Sequence, residues 1–270
     1  MVQSKKRPTS ISEKFLSLHA TLQKMGSVAV AFSGGVDSTF LLHSACMALG
    51  ADKVIALHGV SCLVAKSVSA RAESVVKQSF GEKIDYSQIK FLPLTWQEFV
   101  VNDARRCYFC KKRLYQILQM EMEKKVCRFL LDGTNVDDLQ TERPGLKALC
   151  ELGVLTPLRD SGLTKNEIRL LAKEAGLTNH DLPANSCLAT RIATGRPIEQ
   201  HELAKIERAE DFLSDLGFTG CRVKPLAGYV HIIIQDKDIE RFSTFINRKA
   251  LQQKMLHIGL GNAYLGIIGR

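Results

Sequence analysis

Seven consecutive residues, Ser33-Gly34-Gly35-Val36-Asp37-Ser38-Thr39, bring two glycines, hydroxyls and a carboxylate together between an apolar run and a stretch of helical periodicity. Glycine lets a backbone approach a ligand closely and adopt positive φ. Successive N–H groups can then form an anion-binding nest, reinforced by the positive end of the helix that follows. Ser33 and Ser38 add hydroxyl donors, so the segment suits phosphate. Asp37 suits it only by holding a magnesium ion or by orienting the loop backbone. No Gly-Lys-Ser/Thr is present, which separates this loop from the lysine-bearing P-loop.

Cysteine is the second reactive residue type, with eight in the chain. Cys46, Cys62, Cys127 and Cys150 lie in apolar stretches and read as small buried hydrophobes. Cys107 and Cys110 form a Cys-x-x-Cys pair at the start of a predicted helix. Arg105, Arg106 and Lys111 flank it, and cations at a helix N-terminus favour thiolates. Cys187 lies in a loop between Pro183 and Pro197.

An alternation of strand, turn and helix positions these groups. A helix is expected over residues 11–25, closed by Gly26, then a strand over 27–32 leading into the glycine loop. A helix over 38–49 places Leu41, Leu42, Ala45, Cys46 and Leu49 on one face, and Gly50 stops it. Strands follow at 54–58, at 91–94 and at 126–131, with a helix over 67–80 after the first of them. Thr164-Lys165-Asn166-Glu167 has the capping-box form and opens a helix reaching residue 175. Buried apolar strands alternating with amphipathic helices indicate an α/β fold, a parallel sheet doubly wound by helices. Beyond the loop the pattern changes: a long helix over 199–216, short strands at 221–224 and 230–234, a helix near 238–247 and a last strand over 260–268. Two domains are therefore expected, residues 1–189 and a smaller α+β domain over 190–270.

Net charge is +9, from 37 basic and 28 acidic residues, which favours anionic ligands. The basic residues are dispersed, without the stripe and interleaved aromatics of an RNA-binding surface. No apolar run approaches the roughly 20 residues of a membrane span. The basic segment Met1–Arg7 lacks a secretory apolar stretch, so a frayed tail and a cytoplasmic location are expected.

The loop Ser33-Gly34-Gly35-Val36-Asp37-Ser38 resembles the PP-motif of the adenine-nucleotide α-hydrolase superfamily. Further segments narrow the likeness: Leu131-Asp132-Gly133-Thr134-Asn135-Val136-Asp137-Asp138, Arg143-Pro144-Gly145-Leu146-Lys147-Ala148, Thr156-Pro157-Leu158, Leu163 to Arg169, and Cys187-Leu188-Ala189-Thr190-Arg191-Ile192. In this order they resemble the LarE family of ATP-dependent sulfur transferases, from about residue 10 to 225. The resemblance implies adenylylation of a carboxylate of pyridinium-3,5-biscarboxylic acid mononucleotide with release of pyrophosphate. A thiocarboxylate then forms, in assembly of the nickel-pincer nucleotide cofactor. Ser33, Gly34, Gly35, Asp37, Ser38, Gly133 and Asn135 would bind ATP, with Asp37 a candidate for Mg2+.

Cys187 matches the family's sulfur-bearing cysteine. In one branch that residue gives up its own sulfur and ends as dehydroalanine. In another, three cysteines hold a [4Fe-4S] cluster, and here Cys107, Cys110 and Cys187 are candidates for it. A redox or persulfide relay, zinc and plain packing stay open for the Cys pair. Arg191 is a candidate phosphate ligand, against an ordinary salt bridge. Arg222 and Lys224 alternate on one strand, face the same side and match two phosphate-binding arginines; lysine there loses bidentate geometry. Trp96 matches an aromatic position near the family's site, or packs in the core. The next strand departs from the family, reading Tyr229-Val230-His231-Ile232-Ile233-Ile234 where an Arg and a Glu are expected. Glu207 and Glu210 are possible acidic partners or solvated-face residues. The implied partner is a small-molecule nucleotide, with homo-oligomers possible and nucleic acid disfavoured. The alternatives are a tRNA thiolase, an amidating ligase of the NAD- or GMP-synthetase type, and a non-catalytic nucleotide-binding protein.

Overall fold

The computed structural model describes residues 10–139, 144–183, 185–226 and 229–261, with the backbone of 266–268. The tail Met1–Arg7, Arg143 and residues 262–265 of the expected strand over 260–268 lie outside the described residues. The chain divides into two compact units. The first comprises Met1–Val60, Val68–Phe91 and Cys107–Leu182, and the second Ser61–Ser67, Leu92–Arg106 and Pro183–Arg270.

The first unit is built on a four-stranded parallel sheet: β1 (Val28–Ala31), β2 (Val54–Val60), β3 (Asp85–Lys90) and β4 (Phe129–Leu131), in spatial order β3-β2-β1-β4. Helices cover both faces, and the strand alternation divides the core accordingly. Val28, Val30, Val54 and Ala56 face one apolar cluster, with Leu18 and Leu22 of α1 (Ile11–Gln23), Phe40, Leu41 and Leu42 of α2 (Val36–Leu49), Val75 and Val76 of α3 (Lys66–Phe80), and Ile168 further along the chain. Ala29, Ile55, Leu57 and Leu130 face the other, with Tyr115, Leu118 and Met122. This is the doubly wound α/β architecture expected from the alternation.

The third strand lies earlier than expected. The apolar run 91–94 holds a short 3-10 turn, Pro93–Thr95, and β3 occupies the more polar Asp85–Lys90. Among the described residues β3 is an edge strand that pairs with β2 alone, and it needs no continuous apolar run. The fourth strand is shorter than expected at its start, because Val126 has φ 58° and cannot continue an extended chain. In chain order the next helices are α4 (Gln97–Val100), α5 (Arg106–Lys124), α6 (Pro144–Glu151), α7 (Pro157–Asp160) and α8 (Lys165–Glu174). The capping box opening α8 is present, with Thr164 and Glu167 bonded reciprocally.

In the second unit α9 (Gln200–Asp215) packs against β5 (Arg222–Leu226), which forms a sheet with β6 (Tyr229–Ile233) and β7 (Gly266–Ile268). β5 runs antiparallel and β7 parallel to β6. Two helices complete it: α10 (Ile239–Phe245), and α11 (Arg248–Ile258), which the sequence pattern does not mark. Its separate core includes Leu213, Phe218, Val223, Val230, Ile232, Phe242 and Met255. Among the described residues no helix is long and apolar enough to cross a membrane.

Candidate functional site

The glycine loop joins β1 to α2 at the carboxyl end of a central strand, where open α/β sheets place their ligands. Gly34 has φ 75°, and a Cβ there would lie 2.6 Å from Cβ of Ala72, so only glycine fits. Gly35 is the N-cap of α2 and offers no side-chain cap to the first-turn N–H groups. The hydroxyls close the turn locally. The Ser33 N–H donates to Ser38 Oγ at 3.2 Å, Ser38 Oγ donates to the Gly35 carbonyl at 3.1 Å, and the Gly35 N–H donates to Ser33 Oγ at 3.3 Å.

The segment after β4 lies against this turn. A Cβ on Gly133 would stand 3.0 Å from the Ser38 nitrogen and 3.2 Å from the Asp37 carbonyl carbon. Asn135 Nδ2 donates to Asp37 Oδ1 at 3.4 Å, and Lys165, first in α8, donates to Asp37 Oδ2. Burial raises the Asp37 pKa above its ordinary 3.8. Lys165 and Asn135 counter only part of this, and Asp138 adds to it. Asn179 supports the turn from behind, its Nδ2 donating to the Gly34 carbonyl at 3.0 Å and to Thr39 Oγ1 at 2.8 Å. Its Oδ1 is buried without a hydrogen-bond partner among the described residues.

Asp132, at the end of β4, is a contrasting carboxylate. One oxygen accepts from the Thr134 N–H at 2.8 Å and from Thr134 Oγ1, and the other from Tyr115 Oη and from Lys111 Nζ at 3.3 Å. Burial pushes its pKa up, but Lys111 and the hydrogen bonds outweigh burial and hold it below 3.8. Burial, and then the charge of Asp132 and the hydrogen bond to it, raise the Tyr115 phenol well above its ordinary 10.

Cys107 and Cys110 occupy the first turn of α5, three residues apart and so on one face, the former exposed and the latter half-buried. In the second unit, Cys187 is the N-cap of a 3-10 turn, Leu188–Arg191. Arg191 is buried, and all three of its guanidinium nitrogens meet protein acceptors. Nε and Nη2 donate to the two carboxylate oxygens of Glu210, each at 2.8 Å. Nη1 lies 2.9 Å from the Ser186 carbonyl, 2.6 Å from Ser186 Oγ, 3.0 Å from Thr190 Oγ1 and 3.2 Å from the Cys187 carbonyl. Glu210 Oε1 also accepts from the Val223 N–H at 2.8 Å, tying α9 to β5.

No protein-family model matches the chain. Relatives nevertheless align along almost its whole length. The pyridinium-3,5-bisthiocarboxylic acid mononucleotide synthase of Lactiplantibacillus plantarum is 30% identical over 92% of this chain and 88% of its own. The chain belongs to the LarE family. An uncharacterized protein of Synechocystis sp. is 28% identical over 92% of the chain and 91% of its own. Another, of Methanocaldococcus jannaschii, is 30% identical over 90% of the chain and 87% of its own.

Set against the LarE expectations, Ser33, Gly34, Gly35, Asp37, Ser38, Gly133 and Asn135 come together in one cluster of the first unit. Cys107 and Cys110 share a helix of that unit, whereas Cys187, Trp96, Arg191, Arg222 and Lys224 belong to the second. Among the described residues no three His, Cys, Asp or Glu side chains form a group that could hold a metal ion. Trp96 is the half-buried N-cap of α4. Arg222 and Lys224 are half-buried and alternate with buried Val223 and Pro225; Arg222 stands opposite Ile233, and Lys224 opposite His231. Among the flanking cations, Lys111 reaches Asp132 and Arg105 pairs with Asp103 at 2.9 Å. Cys46, Cys62 and Cys127 are half-buried, and burial pushes the Cys46 thiol to about 11. Cys150 is exposed on α6, contrary to its reading as a buried hydrophobe, because its helix buries Gly145, Ala148 and Leu149 instead. Glu207 is no free acid either: it accepts from the Lys66 N–H at 2.6 Å, at the start of α3. Nothing in the sequence pattern marks Asn179 as part of a site, and the expectation of Glu210 as a possible acidic partner does not identify Arg191 as the residue it pairs with. The capping box locates Lys165 without revealing its reach to Asp37.

Proposed function

We propose that the protein is an ATP-dependent sulfur transferase acting on pyridinium-3,5-biscarboxylic acid mononucleotide. A substrate carboxylate oxygen attacks the α-phosphorus of ATP and pyrophosphate leaves, giving an acyl adenylate. A sulfur nucleophile then attacks the acyl carbon and AMP departs with the bonding electrons of its C–O bond. Sulfide gives the thiocarboxylate directly. The Cys187 thiol instead gives a thioester that releases it by β-elimination, the α-proton leaving to a base and the Cβ–Sγ bond breaking to leave dehydroalanine. The reading rests on the glycine loop. Its shape is fixed by its own residues, its N–H groups open α2, and Lys165 stands beside it on the Asp37 carboxylate. Phosphate entering there would draw Lys165 toward it and leave Asp37 Oδ2 for a magnesium ion. The full-length likeness to a synthase of this chemistry supports the same substrate.

Three thiolates suit a [4Fe-4S] cluster, two of them one turn apart on a helix. Cys107, Cys110 and Cys187 would hold it, and it would supply an open iron able to carry sulfide. Arg222 and Lys224, on one face of β5, would meet the substrate phosphate.

The test is anaerobic incubation with ATP, magnesium and the pyridinium dicarboxylate nucleotide, following product and intact protein mass. Thiolated product with pyrophosphate is expected. A protein lighter by the elements of hydrogen sulfide identifies Cys187 as donor; unchanged protein that needs added sulfide, Cys107 and Cys110 identifies the cluster. Absence of both product and AMP overturns the assignment, and undermodified tRNA becomes the next substrate.

A further inference from the structure

We propose that Arg191 is a positioning residue for Cys187, held in place by Glu210, and that substrate anions are bound elsewhere. The inference rests on the sulfur-transfer reading for its reaction but on the second unit's geometry for its substance. A guanidinium that binds phosphate has to present N–H groups to solvent or ligand. Arg191 has only 5% of its side chain exposed, and each of its nitrogens is bonded within the protein. The bidentate pair with Glu210 also cancels its charge, so its pull on a distant anion is small. Releasing it toward a phosphate would leave the half-buried Glu210 carboxylate without its counter-charge.

What Arg191 does hold is the turn that carries Cys187. The Cys187 carbonyl accepts from the Thr190 N–H at 2.9 Å, from Thr190 Oγ1 at 2.8 Å and from Arg191 Nη1 at 3.2 Å. The preceding carbonyl, of Ser186, is held by the same Nη1. On the other side the Leu188 N–H donates to the Leu63 carbonyl at 2.9 Å. The backbone on both sides of the cysteine is therefore fixed, and Glu210 anchors the clamp to β5 through Val223. Displacing a reacting sulfur by about 1 Å is enough to slow attack by orders of magnitude. An arginine clamp of this kind acts on the rate of transfer without touching the substrate.

The experiment uses Arg191→Lys and Glu210→Gln, with three readouts: equilibrium binding of the nucleotide substrate, pyrophosphate release, and single-turnover formation of thiolated product at saturating substrate. Arg191→Lys keeps the charge and loses the fork, and should slow sulfur transfer by about tenfold or more. Substrate affinity and pyrophosphate release should stay within about threefold of the parent, a split that general loss of structure would not produce. Glu210→Gln keeps an acceptor for Val223 and should act in the same direction with a smaller effect. Weakened substrate binding with the transfer rate intact at saturation would overturn the proposal in favour of a phosphate ligand. A further readout needs no turnover: the alkylation rate of Cys187 by iodoacetamide at one pH, with exposed Cys150 as internal reference. Arg191→Lys should change the Cys187 rate about fivefold or more relative to Cys150, and an unchanged ratio overturns the clamp. Because alkylation is read on the protein alone, failure of the parent to thiolate the nucleotide would sink the proposed function while this test still decided the clamp.

Discussion

The turn at Ser33–Ser38 and the turn at Ser186–Arg191 each open a helical segment and each carry residues proposed to react, yet they are held by opposite means. The first is closed by its neighbours: positive φ at Gly34, and hydrogen bonds spanning five residues or fewer. The second is held by a side-chain pair, Arg191 with Glu210, whose members lie 19 residues apart. A backbone turn built from glycine tolerates no added atom but needs no partner. A side-chain clamp tolerates small changes of shape but fails when either member is removed.

The largest expected effect follows from the first case. Gly34→Val forces a β-branched residue to positive φ, costing about 1–2 kcal/mol, and drives its side chain into Ala72 for about 1–3 kcal/mol more. The loop has to distort, so pyrophosphate release should fall by about 100-fold or more. The amides of β5 and β6 should keep their parental hydrogen-exchange protection. Equal loss of protection in both units would show that the turn is not locally determined.

Arg191→Met probes the second case. It leaves the Glu210 carboxylate without its guanidinium and should destabilise the second unit by about 3 kcal/mol, read from hydrogen exchange in β5 and β6. ATP binding in the first unit should be retained. Comparable destabilisation of β1 and β2 would contradict a clamp confined to its own unit.

The contrast in span also explains which features are legible in the sequence. The glycine loop, the capping box at Thr164 and the alternating strand Arg222–Leu226 are short-range patterns, and a few neighbouring residues suffice to read each of them. The Lys165–Asp37 and Arg191–Glu210 pairs join residues on different elements, and one charged side chain on a helix face reads like another until the fold chooses its neighbour. The same logic covers β3. An edge strand with a polar face, Asp85-Tyr86-Ser87-Gln88-Ile89-Lys90, carries a weaker signal than the apolar residues 91–94, although Pro93 cannot donate to a ladder. Helix α11 is hard to see in the sequence because Arg248-Lys249 and Gln252-Gln253 mask a narrow apolar stripe of Leu251, Met255 and Ile258.

Asp132 and Asp37 sharpen the comparison within the first unit, because their environments shift them in opposite directions. The Asp132 pKa is lowered below 3.8 in the fold, so the unfolded chain binds more protons in the window beneath that value. Its contribution is complete above 3.8 and disappears as pH falls through the folded pKa. Asp37 is raised, so the folded state holds the proton more tightly, and its contribution falls as pH rises above 3.8 toward its folded pKa. Asp132→Asn should flatten the acid limb of stability against pH, whereas Asp37→Asn should remove a slope of opposite sign at higher pH. Urea unfolding at a series of pH values from about 3 to 6 separates them. Identical profiles for the two variants would mean that Lys111 and Lys165 play equivalent parts.

The smallest effect is expected at Asn179, where a long-range side chain supports the otherwise local turn. Asn179→Leu removes the donors to the Gly34 carbonyl and Thr39 Oγ1, and such a loss costs about 1–3 kcal/mol when the partners stay buried. The same change removes the buried Oδ1, which has no hydrogen-bond partner among the described residues, and that loss is favourable. The two effects oppose, leaving a net destabilisation of about 1 kcal/mol. Since the turn is closed by Ser33, Gly35 and Ser38, ATP affinity should fall by no more than about threefold. A loss of about 100-fold would show that the glycine turn, like the cysteine turn, depends on a side chain from a distant part of the chain, and the distinction between them would fail.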